Sequence, residues 1–216
     1  MKRHKERAMN QLLENMVLSP LLEKQLTALV EHPKKFPKFL VFHGEPGTGK
    51  TTFARQFAQL NAVHETYIPV NEIKLNQVWE KDIEASLRTK PISFDDEERE
   101  RPFDRIFVID EFHNISANQQ DRFKTVYDRL DDRTMFIFVL NTDARKPSEV
   151  LSRKLSSAMY SRCYEFNFDI PKIQCAQLVS KAEKIFPNLS TERIKALMPD
   201  FRKMTQENEV AGLFVD

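Results

Sequence analysis

The stretch FHGEPGTGKTTF, residues 42–53, holds three of the chain's four glycines. Gly44 and Gly49 have four residues between them, and Lys50 and Thr51 follow at once. Without a Cβ, such positions let consecutive backbone N–H groups curl inward around an anion. The turn opens into an amphipathic segment, so the positive end of a helix faces the same anion. Lys50 then reaches the β- and γ-phosphates of a nucleotide, and the Thr51 hydroxyl is placed to ligate Mg2+. Gly44, Pro46, Gly47, Thr48, Gly49, Lys50, Thr51 and Thr52 are the expected contacts for ATP. A second constellation, RIFVIDEFH at 105–113, delivers Asp110 and Glu111 at the end of an apolar run. Open α/β sheets bind ligands at that end of a strand. There Asp110 would hold Mg2+ through its water shell, and Glu111, free of the metal, would polarise an attacking water.

These residues need elements to position them, and the hydropathy pattern supplies an alternation. KFLVFHG (38–44), TYIPV (66–70), RIFVID (105–110), TMFIFVLN (134–141) and CYEFNF (163–168) read as buried strands, with helix-like segments between most of them. Leu22, Leu26 and Leu29 recur at helical spacing ahead of Pro33, and Phe53, Phe57 and Leu60 mark the helix after the glycine turn. Such alternation implies a doubly wound α/β domain. Past residue 169 the pattern changes to helices alone, so three parts are expected. They are a basic N-terminal segment (1–16), read as a frayed and solvated terminus, a nucleotide-binding core (17–169) and a small helical lid (170–216). The charge run at 93–105 reads as a solvated loop.

With 216 residues, 41% of them hydrophobic and seventeen Phe, the chain can bury a sizeable core. A formal net charge of +1 means that any nucleic-acid contact must come from uneven charge distribution. Cys163 and Cys175 lack metal-ligand spacing and are expected to stay reduced. No signal peptide or membrane anchor is expected, which places the protein in the cytoplasm, nucleoid-associated, or in a host cytoplasm if phage-encoded.

The Walker A turn, the Asp110–Glu111 pair, Asn141 ending FVLN and the tripeptide SRC at 161–163 together resemble the AAA+ ATPases. The likeness is greatest to sliding-clamp loader small subunits of the replication factor C and phage type, over roughly residues 17–205. The resemblance implies a five-stranded parallel sheet of order 5-1-4-3-2 followed by a helical lid. It makes Asn141 a sensor that orients the hydrolytic water, and Arg162 an arginine finger acting in trans on a neighbouring subunit's nucleotide. In MPDFRKM (198–204), Arg202 would be a second sensor reaching the γ-phosphate from the lid, although Pro199 stands where the family has glycine. The segment at 114–130 is similar to the family helix along the DNA backbone. It offers Gln120, Arg122 and Lys124 for DNA contact or for relaying it to Glu111, with Phe123, Val126 and Leu130 facing the core. The implied partners are primer-template DNA bound without sequence preference, a sliding clamp or other replication protein, and further subunits of a homo- or hetero-oligomer. Two departures from the family pattern are expected: an unrelated basic stretch in place of the N-terminal aromatic and basic signature, and no collar domain of the kind that joins the subunits within residues 1–216. A helicase loader, or another DNA-remodelling adaptor, is the alternative within this chemistry. A non-hydrolysing nucleotide-binding scaffold is the alternative outside it.

Overall fold

The computed structural model describes residues 2–70, 78–89, 100–143, 146, 150–170 and 172–213. Two helices, α1 (Lys2–Glu14) and α2 (Pro20–Glu31), precede strand β1 (Phe39–Gly44). Then come α3 (Lys50–Asn61), β2 (Ala62–Pro69), α4 (Val78–Arg88), β3 (Phe103–Asp110), α5 (Ala117–Arg129) and β4 (Thr134–Asn141). Two single-turn helices, α6 (Leu151–Lys154) and α7 (Ser157–Tyr160), lead into β5 (Cys163–Asn167). The lid follows as α8 (Lys172–Ile185), α9 (Thr191–Leu197) and α10 (Phe201–Gly212). All strand pairings are parallel, and the order β2-β3-β4-β1-β5 is the expected 5-1-4-3-2 read from the other edge.

Abundant Phe is explained by the two layers that sandwich the sheet. Leu40 and Phe42 of β1 point to one layer, with Phe53 and Phe57 of α3 and with Phe166 and Phe168. Phe39 and Val41 point to the other, with Phe107, Phe112, Phe123, Phe136 and Phe138. Rings in this second layer meet mostly edge-on, Phe39 lying 4.8 to 6.4 Å from Tyr127, Phe138, Phe136 and Phe123, the arrangement that ring quadrupoles favour. Every residue of β1 is buried, as a strand covered on both faces requires. The edge strands differ. β2 begins at Ala62 rather than near Thr66, because His64 and Glu65 hide its first half from an apolar-run criterion.

The N-terminal segment departs from the sequence reading. Instead of a frayed terminus, it forms α1, which packs on α2 and α3 and puts Met9 and Leu13 in the core, with Leu12 and Met16 half-buried beside them. Spacing at 9, 12, 13 and 16 is one helical stripe. The basic residues that dominate the segment's composition mask it. Val17 joins the lid's own cluster, with Val179, Ala182, Ile194 and Met204, so the core–lid boundary is bridged from the N-terminal side. In the charge run, residues 93–99 lie outside the described residues. Arg105 is 7% exposed and donates to the Thr89 carbonyl. Cys163 carries a free thiol that burial pushes up to about 12, and the side chain of Cys175 lies outside the described ones. No described helix is long and apolar enough to cross a membrane.

Two predictions follow from this packing. Leu13, 5% exposed, fills core space, so Leu13→Ala should cost about 2 kcal/mol or more in chemical denaturation; a frayed terminus would lose nothing measurable. His43, near the end of β1, is 8% exposed with Nδ1 3.3 Å from Thr142 Oγ1, and Nε2 has no hydrogen-bond partner among the described residues. Burial, reinforced by the nearby Lys50 ammonium, lowers its pKa from 6.5 to about 4. Between these values the unfolded imidazole binds a proton and the folded one does not. Stability is therefore lost as pH falls from 6.5 towards 4, by about 3 kcal/mol at most from this group. Denaturation curves across that window should be flatter for His43→Asn than for the wild type.

Candidate functional site

The glycine turn connects β1 to α3 where β1 and β4 end together, Gly44 lying opposite Asn141 in the sheet register. Gly47 and Gly49 adopt φ of +83° and +91°, a left-handed backbone that side chains with a Cβ resist. A Cβ would also displace neighbouring side chains. At Gly47 it would stand 2.3 Å from Asp200 Oδ1, and at Gly49 2.6 Å from Met16 Cε. The turn is thus held between the lid and the segment after α1. Asp200 caps α10 by accepting from the Lys203 N–H (3.1 Å), and the Arg202 N–H donates to the Gly47 carbonyl (3.2 Å).

Lys50, the first residue of α3, is 4% exposed. Its Nζ donates to the carbonyls of Gly44 (3.0 Å) and Glu45 (2.6 Å) and to Thr48 Oγ1 (3.3 Å). Burial lowers the Lys50 pKa to about 8, and the carboxylates of Asp169 and Asp110 act in the opposite direction. Asp169, in the linker to the lid, also accepts the Glu45 N–H (2.6 Å).

Asp110 ends β3 beside the turn, and its Oδ2 accepts from Thr51 Oγ1 (3.0 Å) and from the Tyr67 hydroxyl (2.9 Å). Its Oδ1 accepts the Glu111 N–H (2.9 Å). Glu111 itself has φ of +56°, and its Oε2 accepts from Asn114 Nδ2 (3.2 Å). Thr51 and Asp110 therefore present hard oxygen donors to one point. Among the described residues there is no cluster of three or more His, Cys, Asp or Glu able to cage a metal. The pair fits Mg2+, which keeps several waters and is bound through one or two protein groups together with phosphate oxygens.

One cavity of about 630 Å³ joins these parts, a size suited to a small-molecule ligand. Its walls include Pro46, Gly47, Thr48, Gly49, Lys50, Thr51 and Thr52 from the turn and α3, together with Asp110, Glu111, Asn141 and, from the lid, Arg202. Asn15, Met16 and Val17 on one side, and Ile185, Phe186 and Asn208 on the other, were not expected. Nor were Tyr67 and Asp169. Apart from Met16, which continues the stripe of α1, none of these residues is marked by a site motif.

Arg162 is elsewhere. It precedes Cys163, which pairs with Phe39 at the start of β1, whereas the turn begins after Gly44. Five residues of strand separate the two ends by roughly 16 Å. Its Nη1 donates to the Ala158 carbonyl (3.1 Å), and the guanidinium lies 5.9 Å from the Tyr127 ring centre. Arg122 and Lys124 are on the exposed side of α5, opposite buried Phe123. Gln120 departs from the expectation of DNA contact, one of the two roles that the resemblance offered for it. It is 2% exposed, donates to the carbonyls of Ile115 and Lys154 (both 3.0 Å) and accepts the Ser156 N–H (2.8 Å). These bonds turn it inward, so it ties α5 to the segment ahead of α7 and presents nothing to DNA.

The model of the ATPase family associated with various cellular activities (AAA) matches residues 40–172. A Replication factor C small subunit of Methanococcus maripaludis is 29% identical over 212 residues, covering 89% of this chain and 59% of its own length. Another from the same species is 32% identical over 152 residues, covering 67% and 42%. Replication factor C small subunit 1 of Pyrobaculum arsenaticum is 29% identical over 121 residues, covering 53% and 34%. The chain thus spans from about a third to three fifths of the length of these curated relatives. Among solved structures, a RuvB variant of Thermotoga maritima matches with a TM-score of 0.50 at 17% identity, over 82% of this chain and 55% of that one, a likeness of fold alone. The family match covers more than half of the 216 residues, including the phosphate turn, the acid pair and Asn141, and this chain belongs to the AAA family of ATPases.

Proposed function

We propose that the chain is a clamp-loader-like AAA+ ATPase module acting in DNA replication, which couples ATP binding and hydrolysis to assembly on DNA or on a sliding clamp. The observation that carries the reading is the division of parts between the two ends of the sheet. Binding and water-activating groups converge on one cavity, while Arg162 stands at the opposite edge. In this reading Lys50 and the N–H groups of residues 47–51 hold the phosphates, aided by the positive end of α3. Thr51 and Asp110 would hold Mg2+, which supplies positive charge beside the transferred phosphoryl group. Glu111 takes the proton of the attacking water, Asn141 orients that water, and Arg202 reaches in from the lid. Arg162 serves a neighbouring chain's nucleotide, where a cation stabilises the charge of the transition state. The likeness to Replication factor C small subunits over as much as 89% of the chain supports the clamp-loader assignment. Contact with DNA is assigned to the exposed side of α5, where Arg122 and Arg129 share a groove with Arg88 of α4.

The roles separate by mutation. Lys50→Ala should lose nucleotide binding, whereas Glu111→Gln should retain it while turnover falls about 10²-fold or more. Arg162→Ala should keep ATP affinity and lose about 10³-fold in turnover. Mixing it with Lys50→Ala should restore part of the activity, since one chain keeps an intact phosphate turn and the other an intact finger. Absence of any recovery where the wild type oligomerises and hydrolyses ATP would remove the trans assignment. For DNA, binding by the wild type should weaken steeply with salt and ignore sequence, and Lys124→Ala should lower affinity equally for all sequences. Salt-independent binding in a fluorescence titration would point to a protein partner instead.

A further inference from the structure

Tyr67 lies in the C-terminal half of strand β2 and joins an apolar ring to a hydroxyl. Its ring packs against the core layer under α3, and its hydroxyl donates to Asp110 Oδ2 at 2.9 Å. Thr51 donates to the same oxygen at 3.0 Å, and the Glu111 N–H occupies Oδ1 at 2.9 Å. An ionised carboxylate offers about four acceptor sites. Three donors therefore fix its rotation and leave about one site for a metal-bound water.

The geometry points to Tyr67 as a positioning residue that sets the affinity of the Asp110–Thr51 pair for a divalent cation. The inference rests on the reading of that pair as the Mg2+ site. A hydroxyl suits the task because it orients the carboxylate without a charge of its own. A lysine or arginine in its place would neutralise Asp110 and repel the metal. Besides Lys50, a second cation is near: Arg55, which touches the Tyr67 ring. It lies one helical turn beyond Thr51 on α3, so the two side chains share a face. Its guanidinium carbon is 4.6 Å from the centre of the Tyr67 ring, and its Nε is 3.5 Å from Glu65 Oε1. The guanidinium is thus engaged by the ring and by Glu65. The same contact braces the ring that presents the hydroxyl. One face of α3 thus supplies a direct metal ligand at residue 51 and a brace for the supporting hydroxyl at residue 55.

Outer partners of metal-binding groups typically change metal affinity by about 10- to 100-fold. Removing the hydroxyl in Tyr67→Phe should sit at the lower end of that range, because Thr51 and the Glu111 N–H remain. The probe is Mn2+, titrated into the full chain loaded with ADP and followed by the loss of the free-ion electron paramagnetic resonance signal. Tyr67→Phe should bind Mn2+ about tenfold more weakly, with ADP affinity in EDTA unchanged. The Mg2+ concentration at half-maximal turnover should rise by a similar factor. Arg55→Ala, which keeps the hydroxyl but frees the ring, should show a smaller loss, about threefold. Mn2+ affinity within twofold of wild type in Tyr67→Phe overturns the inference and leaves the nucleotide site standing. Equal losses with and without metal also overturn it, since they mark a general loosening of the pocket. If the wild type binds ADP neither with nor without metal, the reading of the site falls, and this inference with it.

Discussion

Burial of the Lys50 ammonium is the constraint around which the site is built. Moving a charge of this kind out of water costs several kcal/mol even after relaxation, and its depressed pKa records that cost. Two carbonyls, the Thr48 hydroxyl and the nearby carboxylates of Asp169 and Asp110 offset it. None of these groups is a full ionic partner in direct contact. A phosphate oxygen entering beside Nζ brings the opposite charge in a place with little water, where the attraction is far less screened than at the surface. Pairing with phosphate would also raise the Lys50 pKa again, so the same desolvation that disfavours the ammonium alone favours it with a nucleotide.

The turn that bends around Lys50 is also the meeting point of three parts of the chain. Gly47 lies against Asp200 of the lid, Gly49 against Met16 behind α1, and Gly44 faces the backbone of Asp169 at the core–lid linker. Val17 continues from Met16 into the lid cluster. A nucleotide in the cavity therefore touches core, lid and N-terminal segment at once. Its binding energy has a route into their relative positions without any contact beyond those lining the cavity.

Sequence made some of this legible and hid the rest for physical reasons. The phosphate turn was readable because glycine, lysine and threonine are required there at fixed spacing. Asp110 and Glu111 were singled out because they stand at the end of a strongly apolar strand, whereas Asn141 drew its role from the family resemblance. Arg162 and Arg202 came only through family resemblance, since a single arginine has no spacing of its own. Helix α1 was missed because its basic residues drew attention from the stripe of Met9, Leu12, Leu13 and Met16. Gln120 was misplaced because glutamine on a polar helix reads as exposed, and only three-dimensional packing brings Lys154 and Ser156 to its amide. Tyr67 and Asp169 lie far in sequence from the groups they serve, 43 residues from Asp110 and 124 from Glu45. No local pattern marks such pairs.

With all five strands parallel, every loop leaving a strand's C-terminal end is available to the nucleotide, and every segment entering a strand is remote from it. Arg162 enters β5 and so cannot share a site with Lys50 of the same chain. Helix α5 connects the two ends. Its Ser116–Gln119 capping box begins five residues after Glu111, and its Gln120 is bonded to the backbone of residues 154 and 156, just ahead of the turn that carries Arg162. The aromatic layer of Phe39, Phe112, Phe123 and Phe138 packs this helix tightly on the sheet, and close-packed interiors move as units. Packing and hydrogen bonds thus tie α5 at one end to the segment that follows Glu111 and, through Gln120, to the segment that leads to Arg162.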